Sequence, residues 1–93
     1  MIKSFKDEDT EKVYKQEYVK KLPDTVCKIA LRKLIMLNAA RDERDFRVPP
    51  GNHFERLQGD RLGQCSIRIN DKYRICFRII DCDCYDVEIT DYH

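Results

Sequence analysis

No apolar run in this 93-residue sequence approaches the roughly 18 residues that indicate a transmembrane helix. The first nine residues include Lys3, Lys6 and three consecutive acidic side chains at 7–9, so they leave no room for the apolar core of a secretion signal. We therefore expect a cytoplasmic protein without a membrane anchor. Internal repeats and low-complexity tracts are also lacking. The length, with 42% hydrophobic residues, predicts a single domain over residues 1–93.

The five cysteines contain no CxxC pair. Structural zinc sites usually combine two separate Cys-x2–4-Cys knuckles, whereas the alternative available here is Cys82-x-Cys84 with Cys76 and a histidine. Cys27 and Cys65 fall within apolar patterns and are predicted to be core residues. In a chain without a secretion signal we expect reduced thiols, and we predict neither a metal ion nor a cofactor.

Charge is distributed unevenly although the formal net charge is only +1. Residues 1–46 carry +2, residues 47–80 carry seven basic and three acidic side chains for +4, and residues 81–93 carry five acidic side chains for −5. Six of the seven basic residues in the middle segment are arginine, whose planar guanidinium suits phosphate. The pattern fits a phosphate-binding surface, and it equally fits a solvated strand surface that pairs with the acidic C-terminal segment.

Helical periodicity is confined to the first half of the chain. A first helix is predicted to begin near Asp9-Thr10, where neighbouring carboxylates complement its N-terminal dipole. A second helix is predicted to begin at Pro23, which suits a first turn. The apolar stripes of the two helices are formed by Val13, Tyr14, Tyr18 and Leu22 and by Val26, Ile29, Ala30, Leu34, Leu37 and Ala40. A charged connector (41–47) and an extended segment closed by a turn (48–52) follow.

From Phe54 onward, apolar residues alternate with polar ones, which is typical of half-buried strands. Three strands are predicted within residues 65–70, 73–79 and 85–90, joined as an antiparallel meander. Residues 2–5 are expected to form a short edge strand. Helices followed by strands indicate an α+β fold, with two N-terminal helices packed on the apolar face of a twisted antiparallel sheet.

The first predicted hairpin brings two arginines together. If Ile69 lies opposite Tyr73 on the core face, a three-residue loop joins the strands and Arg68 lies opposite Arg74 on the open face. Like charges in directly opposite positions are destabilising, so this pair favours an anion such as phosphate above it. Glu88 could instead neutralise the two arginines.

The same reasoning for the second hairpin predicts a three-residue loop at 81–83. Arg78 then lies opposite Asp86 and forms a structural cross-strand ion pair of roughly 0.2–1 kcal/mol. Arg74 lies opposite Thr90. The central arginine is therefore expected to approach the end of the last strand.

Motifs along the whole chain resemble the HigB toxins of the RelE superfamily. They are the opening residues 1–6, Val48-Pro49-Pro50-Gly51-Asn52, Leu57-Gln58-Gly59-Asp60-Arg61, Ser66-Ile67-Arg68-Ile69-Asn70-Asp71, Tyr73-Arg74-Ile75-Cys76-Phe77 and Tyr85-Asp86-Val87-Glu88-Ile89-Thr90-Asp91-Tyr92-His93. The resemblance implies a RelE-like fold and a metal-independent endoribonuclease that cleaves mRNA in the A site of the 70S ribosome. It also implies a HigA-type helix-turn-helix antitoxin, through which alone operator DNA is bound.

The resemblance assigns a catalytic tail to Asp91, Tyr92 and His93, together with Arg74 on the central strand. His93 is the expected acid or base because imidazole titrates near neutrality, whereas arginine cannot act as a base. A frayed chain end is the alternative for His93. Alternation puts Asp91 on the opposite side of its strand from Tyr92. The strand must therefore twist or end near Thr90 for the tail to converge.

Other candidate site residues lie before the tail. Some family members have a histidine where this chain has Glu55, and the nearest histidine is His53, which we carry forward as a candidate catalytic residue. Arg61, Arg68 and Arg74 are expected to bind RNA phosphates. Two rival functions remain: a non-catalytic RNA- or ribosome-binding module of the same fold, and a protein whose arginine surface receives an acidic antitoxin segment.

Overall fold

Two helices precede a four-stranded sheet in the computed structural model, which describes residues 1–91. The elements are α1 (Glu8–Tyr14), α2 (Asp24–Ala39), β1 (Glu55–Arg56), β2 (Cys65–Arg68), β3 (Tyr73–Ile80) and β4 (Asp83–Asp91), with short 3-10 turns at Glu43–Arg47, Pro50–Asn52 and Gly59–Arg61. The strands are ordered β1-β2-β3-β4 and every neighbouring pair is antiparallel. The predicted α+β fold is confirmed. No helix within residues 1–91 is long and apolar enough to cross a membrane.

α1 is shorter than its apolar stripe predicted. The carboxylate of Asp7 accepts a hydrogen bond from the Thr10 backbone N–H at 2.8 Å and fixes the start of the helix. The chain reverses at Gln16, which has a left-handed φ of 63°, so the helix ends at Tyr14. Tyr18, predicted to continue the stripe, is instead 79% exposed. The reversal takes this side chain away from the core.

The apolar stripe of α2 is confirmed. Val26, Ala30, Leu34 and Leu37 are buried, and the helix covers one face of the sheet. The sheet contributes Cys65, Ile67, Ile75, Phe77, Cys84 and Val87 to the same core. Phe46, which belongs to the predicted charged connector, is also fully buried. Burial of a large apolar side chain of this kind stabilises the fold by roughly 1.5–3 kcal/mol.

The register of the hairpin between β2 and β3 is the predicted one. The Ile69 N–H donates to the Tyr73 carbonyl at 3.0 Å, and Arg68 lies directly opposite Arg74. In the loop, the side-chain oxygen of Asn70 accepts hydrogen bonds from the backbone N–H groups of residues 72 and 73. These bonds close the three-residue loop, and the loop length fixes which side chains share a face.

The hairpin between β3 and β4 differs from the prediction. Its loop has two residues, Asp81 and Cys82, because Ile80 already pairs with Asp83. Both loop residues have positive φ, 50° and 68°. Positive φ at both central positions matches the twist of the two flanking strands, which explains why this tight turn replaces the three-residue loop.

A β-bulge at Asp86 restores the predicted register further along the hairpin. The pairing shifts between positions 76 and 78, and Asp86 has φ 52°. Arg78 consequently lies opposite Tyr85, so its predicted position opposite Asp86 is wrong, although its Nε remains 3.8 Å from the Asp86 carboxylate. Beyond the bulge, Arg74 lies opposite Thr90 as predicted.

The N-terminal segment, expected as an edge strand at residues 2–5, covers the outer edge of β4. It forms two isolated parallel bridges, Ile2 with Cys84 and Phe5 with Val87. The N–H of residue 3 donates to the Cys84 carbonyl at 2.8 Å. These bonds satisfy backbone groups that an uncovered edge strand would leave open to other chains.

Candidate active site

Arg74 lies at the centre of the sheet face that is turned away from the helices. Its Nε donates to the Ser66 hydroxyl at 2.8 Å, and its Nη2 donates to the His53 carbonyl at 2.6 Å. The same Nη2 lies 3.1 Å from a carboxylate oxygen of Glu55, and the side chain is only 11% exposed. Contacts from β1, β2 and the turn before β1 therefore fix the guanidinium in one orientation.

The structure brings His53 and Glu55 to Arg74 in different ways. His53 has a left-handed φ of 46° and contacts the arginine through its backbone carbonyl, while its side chain is exposed. Glu55 presents its carboxylate directly to the guanidinium. The resemblance associated the position of Glu55 with a histidine, and this was the signal in the sequence that could have marked Glu55 itself as a functional residue.

Arg68 and Arg61 each have a carboxylate partner. Arg68 pairs with the almost fully exposed Asp71, and Arg61 binds Glu88 at 2.8 Å. Glu88 therefore pairs with Arg61, whereas the sequence suggested it as the group that neutralises the Arg68–Arg74 pair. The Arg61–Glu88 pair is well buried, with side chains 33% and 14% exposed. An incoming anion therefore separates Arg61 from Glu88 less easily than it separates Arg68 from Asp71.

The centre of this sheet face is less open than alternation predicted. Ser66 and Cys76 point away from the helices, yet both are fully buried. Burial raises the pKa of Cys76, although a hydrogen bond with Thr90 opposes that shift. Burial also raises the pKa of Cys84, to about 12. These thiols stay protonated at neutral pH. Within residues 1–91, no three His, Cys, Asp or Glu side chains are grouped to hold a metal ion.

Lys33 adds a cation that the sequence patterns did not connect with this surface. Its Nζ donates a hydrogen bond to the side-chain oxygen of Asn52, which is fully buried. Burial lowers the pKa of the Lys33 ammonium, and the neighbouring charge of Arg32 lowers it further. Arg68 and Arg74 act in the same direction. Lys33 from α2 therefore lies within the electrostatic reach of the sheet arginines.

Comparisons with known proteins agree with the fold. A model of the RelE-like toxins of the type II toxin–antitoxin system HigB matches residues 3–93. Toxin HigB-1 of Vibrio cholerae serotype O1 is 43% identical over 82 residues, which cover 87% of this chain and 86% of that protein. This chain belongs to the RelE-like HigB toxins. An uncharacterized protein of Haemophilus influenzae is 38% identical over 58 residues, 62% of this chain and 57% of its own length.

Membership of this family makes the chain a HigB toxin of a type II toxin–antitoxin system, with an antitoxin as its partner. The expected catalytic tail consists of Asp91, Tyr92 and His93. Tyr92 and His93 lie outside the described residues. Asp91 lies on the Ile89 side of β4, as alternation predicted, with its carboxylate 3.7 Å from Nζ of Lys72. β4 runs through Asp91 instead of ending earlier, so the convergence of the tail on Arg74 stays a prediction.

Proposed function

We propose that this HigB toxin is a metal-independent endoribonuclease that cleaves mRNA in the A site of the 70S ribosome. The observation that carries the proposal is the fixed guanidinium of Arg74, which lies on an arginine-bearing face beside an exposed carboxylate. A preorganised cation of this kind stabilises negative charge that develops on a phosphate during reaction, without having to reorient.

The reaction begins with attack of a ribose 2′-OH on the adjacent phosphate. Arg74 and Arg68 stabilise the pentavalent phosphate, and Asp71 is the easier partner for RNA to displace because its side chain is 98% exposed. Arg61 binds a neighbouring RNA phosphate once that phosphate displaces Glu88. The bond between phosphorus and the 5′ oxygen of the next nucleotide then breaks, leaving a 2′,3′-cyclic phosphate.

The proton transfers require one acceptor and one donor. Glu55 accepts the proton of the 2′-OH, because its carboxylate already lies against the arginine that binds the phosphate. His93 donates a proton to the leaving 5′ oxygen, Asp91 orients it, and Tyr92 contacts the phosphate or stacks on a base. His53 is the alternative acceptor, since its backbone is joined to Arg74 and its side chain is exposed.

The partners follow from this activity and from the family. The antitoxin is of the HigA helix-turn-helix type, and operator DNA is contacted only through it. The substrate is ribosome-bound mRNA, so the toxin acts in the cytoplasm, and the arginine cations provide the charge stabilisation for which other nucleases use metal ions.

Primer extension on mRNA in a translating extract tests the proposal. We expect cuts that appear when the toxin is added, with or without an elongation block, and that disappear when ribosomes are kept from loading onto the message. Cuts of equal strength on message that carries no ribosomes would contradict the ribosome requirement. A complete lack of new cuts, with translation still inhibited, would favour a non-catalytic module that binds the ribosome.

A further inference from the structure

A cleft lies between α2 and the turn that precedes β1. It has a volume of about 350 Å³ and is lined by Arg32, Lys33, Met36, Pro49 and Asn52. Its two cations come from consecutive helix positions, and Asn52 is followed by His53, whose carbonyl binds Arg74. None of the residues assigned to the chemistry of RNA cleavage lines it.

Asn52 gives the cleft a rigid floor. It is completely buried, and its side-chain amide donates to the carbonyls of Phe46 at 3.3 Å and Val48 at 3.1 Å. Those bonds fix which way the amide points, so its oxygen is held towards Lys33, whose ammonium donates to it. The ammonium is thereby positioned by a neutral group and not by a carboxylate.

The cations of this cleft differ from the sheet arginines in whether a carboxylate neutralises them. Arg61, Arg68 and Arg74 each have a carboxylate partner within the protein. In the part of the chain that the structure describes, no carboxylate forms an ion pair with Lys33 or Arg32. An anion in the cleft would therefore meet positive charge that no group of residues 1–91 neutralises. Charges close to Lys33 are mostly positive, since Arg32, Arg68 and Arg74 all lower its pKa.

We propose that this cleft binds a phosphodiester of the RNA strand next to the one that is cleaved, with Lys33 and Arg32 as its cations and Asn52 as the residue that positions Lys33. The proposal rests on the proposed function, because the occupant is single-stranded RNA that continues from the arginine face. Asn52 in the cleft is followed directly by His53, whose carbonyl accepts a hydrogen bond from Arg74, so a strand that leaves Arg74 can continue into the cleft, which favours RNA over an acidic protein segment.

Binding of a fluorescein-labelled 2′-O-methyl hexaribonucleotide tests the site, because this probe lacks the 2′-OH that cleavage requires. Fluorescence anisotropy is measured over a series of salt concentrations for the wild type, Lys33→Gln and Lys33→Arg. We expect Lys33→Gln to weaken binding about 3- to 10-fold and to reduce the slope of log K against log salt by about 0.7, the value for one phosphate contact on a single strand. Lys33→Arg keeps the charge and is expected to retain most of the slope.

Two further variants make the result specific. Lys28→Gln removes the same charge from the same helix, about 140° round its axis from Lys33, and is expected to leave binding unchanged. Arg32→Gln removes the second cation of the cleft from an exposed position, so it tests the proposal even if Lys33→Gln does not fold. We expect it to lower the salt slope as Lys33→Gln does.

An unchanged slope in both Lys33→Gln and Arg32→Gln would overturn the proposal, and so would a wild type that does not bind the oligonucleotide. If the variants bind the oligonucleotide normally but bind the antitoxin weakly, the cleft belongs to the protein partner. Cleavage of ribosome-bound mRNA is measured separately, with a raised KM and a retained kcat expected for Lys33→Gln. A wild type that binds the probe through Lys33 yet cuts no message would refute the nuclease function alone.

Discussion

Arg74 is held by Ser66 on β2, by Glu55 on β1 and by the carbonyl of His53. Lysine at this position would retain the charge but could not replace both Nε and Nη2, because all its N–H donors are on one nitrogen and not on a planar fork. We therefore expect Arg74→Lys to lower kcat for cleavage of mRNA on programmed ribosomes by at least about 100-fold, the usual effect of losing a fixed group that stabilises the transition state.

Arg78→Lys is the matched control for this substitution. Arg78 lies on the same strand, and its ion pair with Asp86 is half-exposed at 3.8 Å, so the variant should cleave at the wild-type rate. Wild-type activity of Arg74→Lys would show that positive charge alone suffices and that the orientation of the guanidinium has no catalytic role.

The proton acceptor can be identified by substitutions at two positions on the same turn and strand. Glu55→Gln keeps the size of the side chain and removes its basicity, so we expect a loss of about 10²- to 10⁴-fold in kcat with antitoxin binding unchanged. His53→Ala should have a smaller effect, since the contact of His53 with Arg74 is made by its backbone. The reverse order of effects, measured in the same cleavage assay, would assign the proton transfer to His53.

Part of this site was predictable from the sequence and part was not. The pairing of Arg68 with Arg74 follows from alternation and loop length, which are local properties of the hairpin. The contacts of Glu55 with Arg74 and of Lys33 with Asn52 join segments that are distant in the chain, and no periodicity predicts them. Residue types and spacing therefore predict an arginine pair, but not the groups that orient and neutralise it.

Between elements, the buried hydroxyl of Thr10 joins α1 to β4. Thr10 is 1% exposed, and its hydroxyl oxygen accepts a hydrogen bond from the Ile89 backbone N–H at 2.9 Å. Thr10→Val keeps the shape and leaves that N–H buried without this acceptor. We expect the free energy of unfolding in urea to fall by about 1–3 kcal/mol.

Thr25→Val on α2 is the control, because Thr25 is exposed and its substitution should change stability by less than about 0.5 kcal/mol. Equal stability of the Thr10→Val variant and the wild type would mean that water or a shift of the strand replaces the lost bond. The contact would then orient α1 without stabilising the fold.

Some of the secondary-structure elements could be predicted from the sequence pattern, and others could not. α2 and the first hairpin carry a strong repeating pattern, and both are as predicted. The bulge at Asp86 is a single residue inserted into an alternating strand, so Cys84 occupies the core in place of Tyr85. The reversal at Gln16 also depends on one backbone angle. Alternation and helical period cannot reveal features that occupy one residue.

For the whole molecule, the acidic C-terminal segment serves mainly to balance the basic strands. Its residues Asp86, Glu88 and Asp91 pair with Arg78, Arg61 and Lys72, respectively. The hypothesis that this segment pairs with the strand surface is therefore confirmed for Arg78 on β3, while Arg61 and Lys72 belong to a turn and a loop next to the strands. Lys33 and Arg32 at the cleft are among the basic side chains that form no ion pair with a carboxylate of residues 1–91, so the near-zero net charge conceals an uneven distribution of charge.

The buried thiols predict how stability depends on pH. Burial raises the pKa of Cys84 from its ordinary 9.0 to about 12, so the folded chain keeps a proton that the unfolded chain releases. The resulting stabilisation is complete below pH 9.0 and is lost as the pH rises towards about 12. Burial shifts Cys65 and Cys76 in the same direction, with raised pKa values. We expect a smaller free energy of unfolding at about pH 10 than at about pH 8, measured with urea under reducing conditions.

A Cys84→Ala variant isolates the contribution of this thiol to the pH dependence. Its free energy of unfolding should be lower at neutral pH because of the cavity, but it should change less between the two pH values than that of the wild type. An identical pH dependence in both proteins would show that other groups cause the alkaline loss of stability.

Cleavage by purified toxin of mRNA bound to purified 70S ribosomes tests the central claim most directly. The same message is presented free and with a defined codon in an empty A site, and the ends of the products are analysed chemically. We predict a cut within the A-site codon that leaves a 2′,3′-cyclic phosphate, with no cut in the free message over the same time. Intact mRNA on the ribosomes, or equal cutting of the free message, would contradict the account.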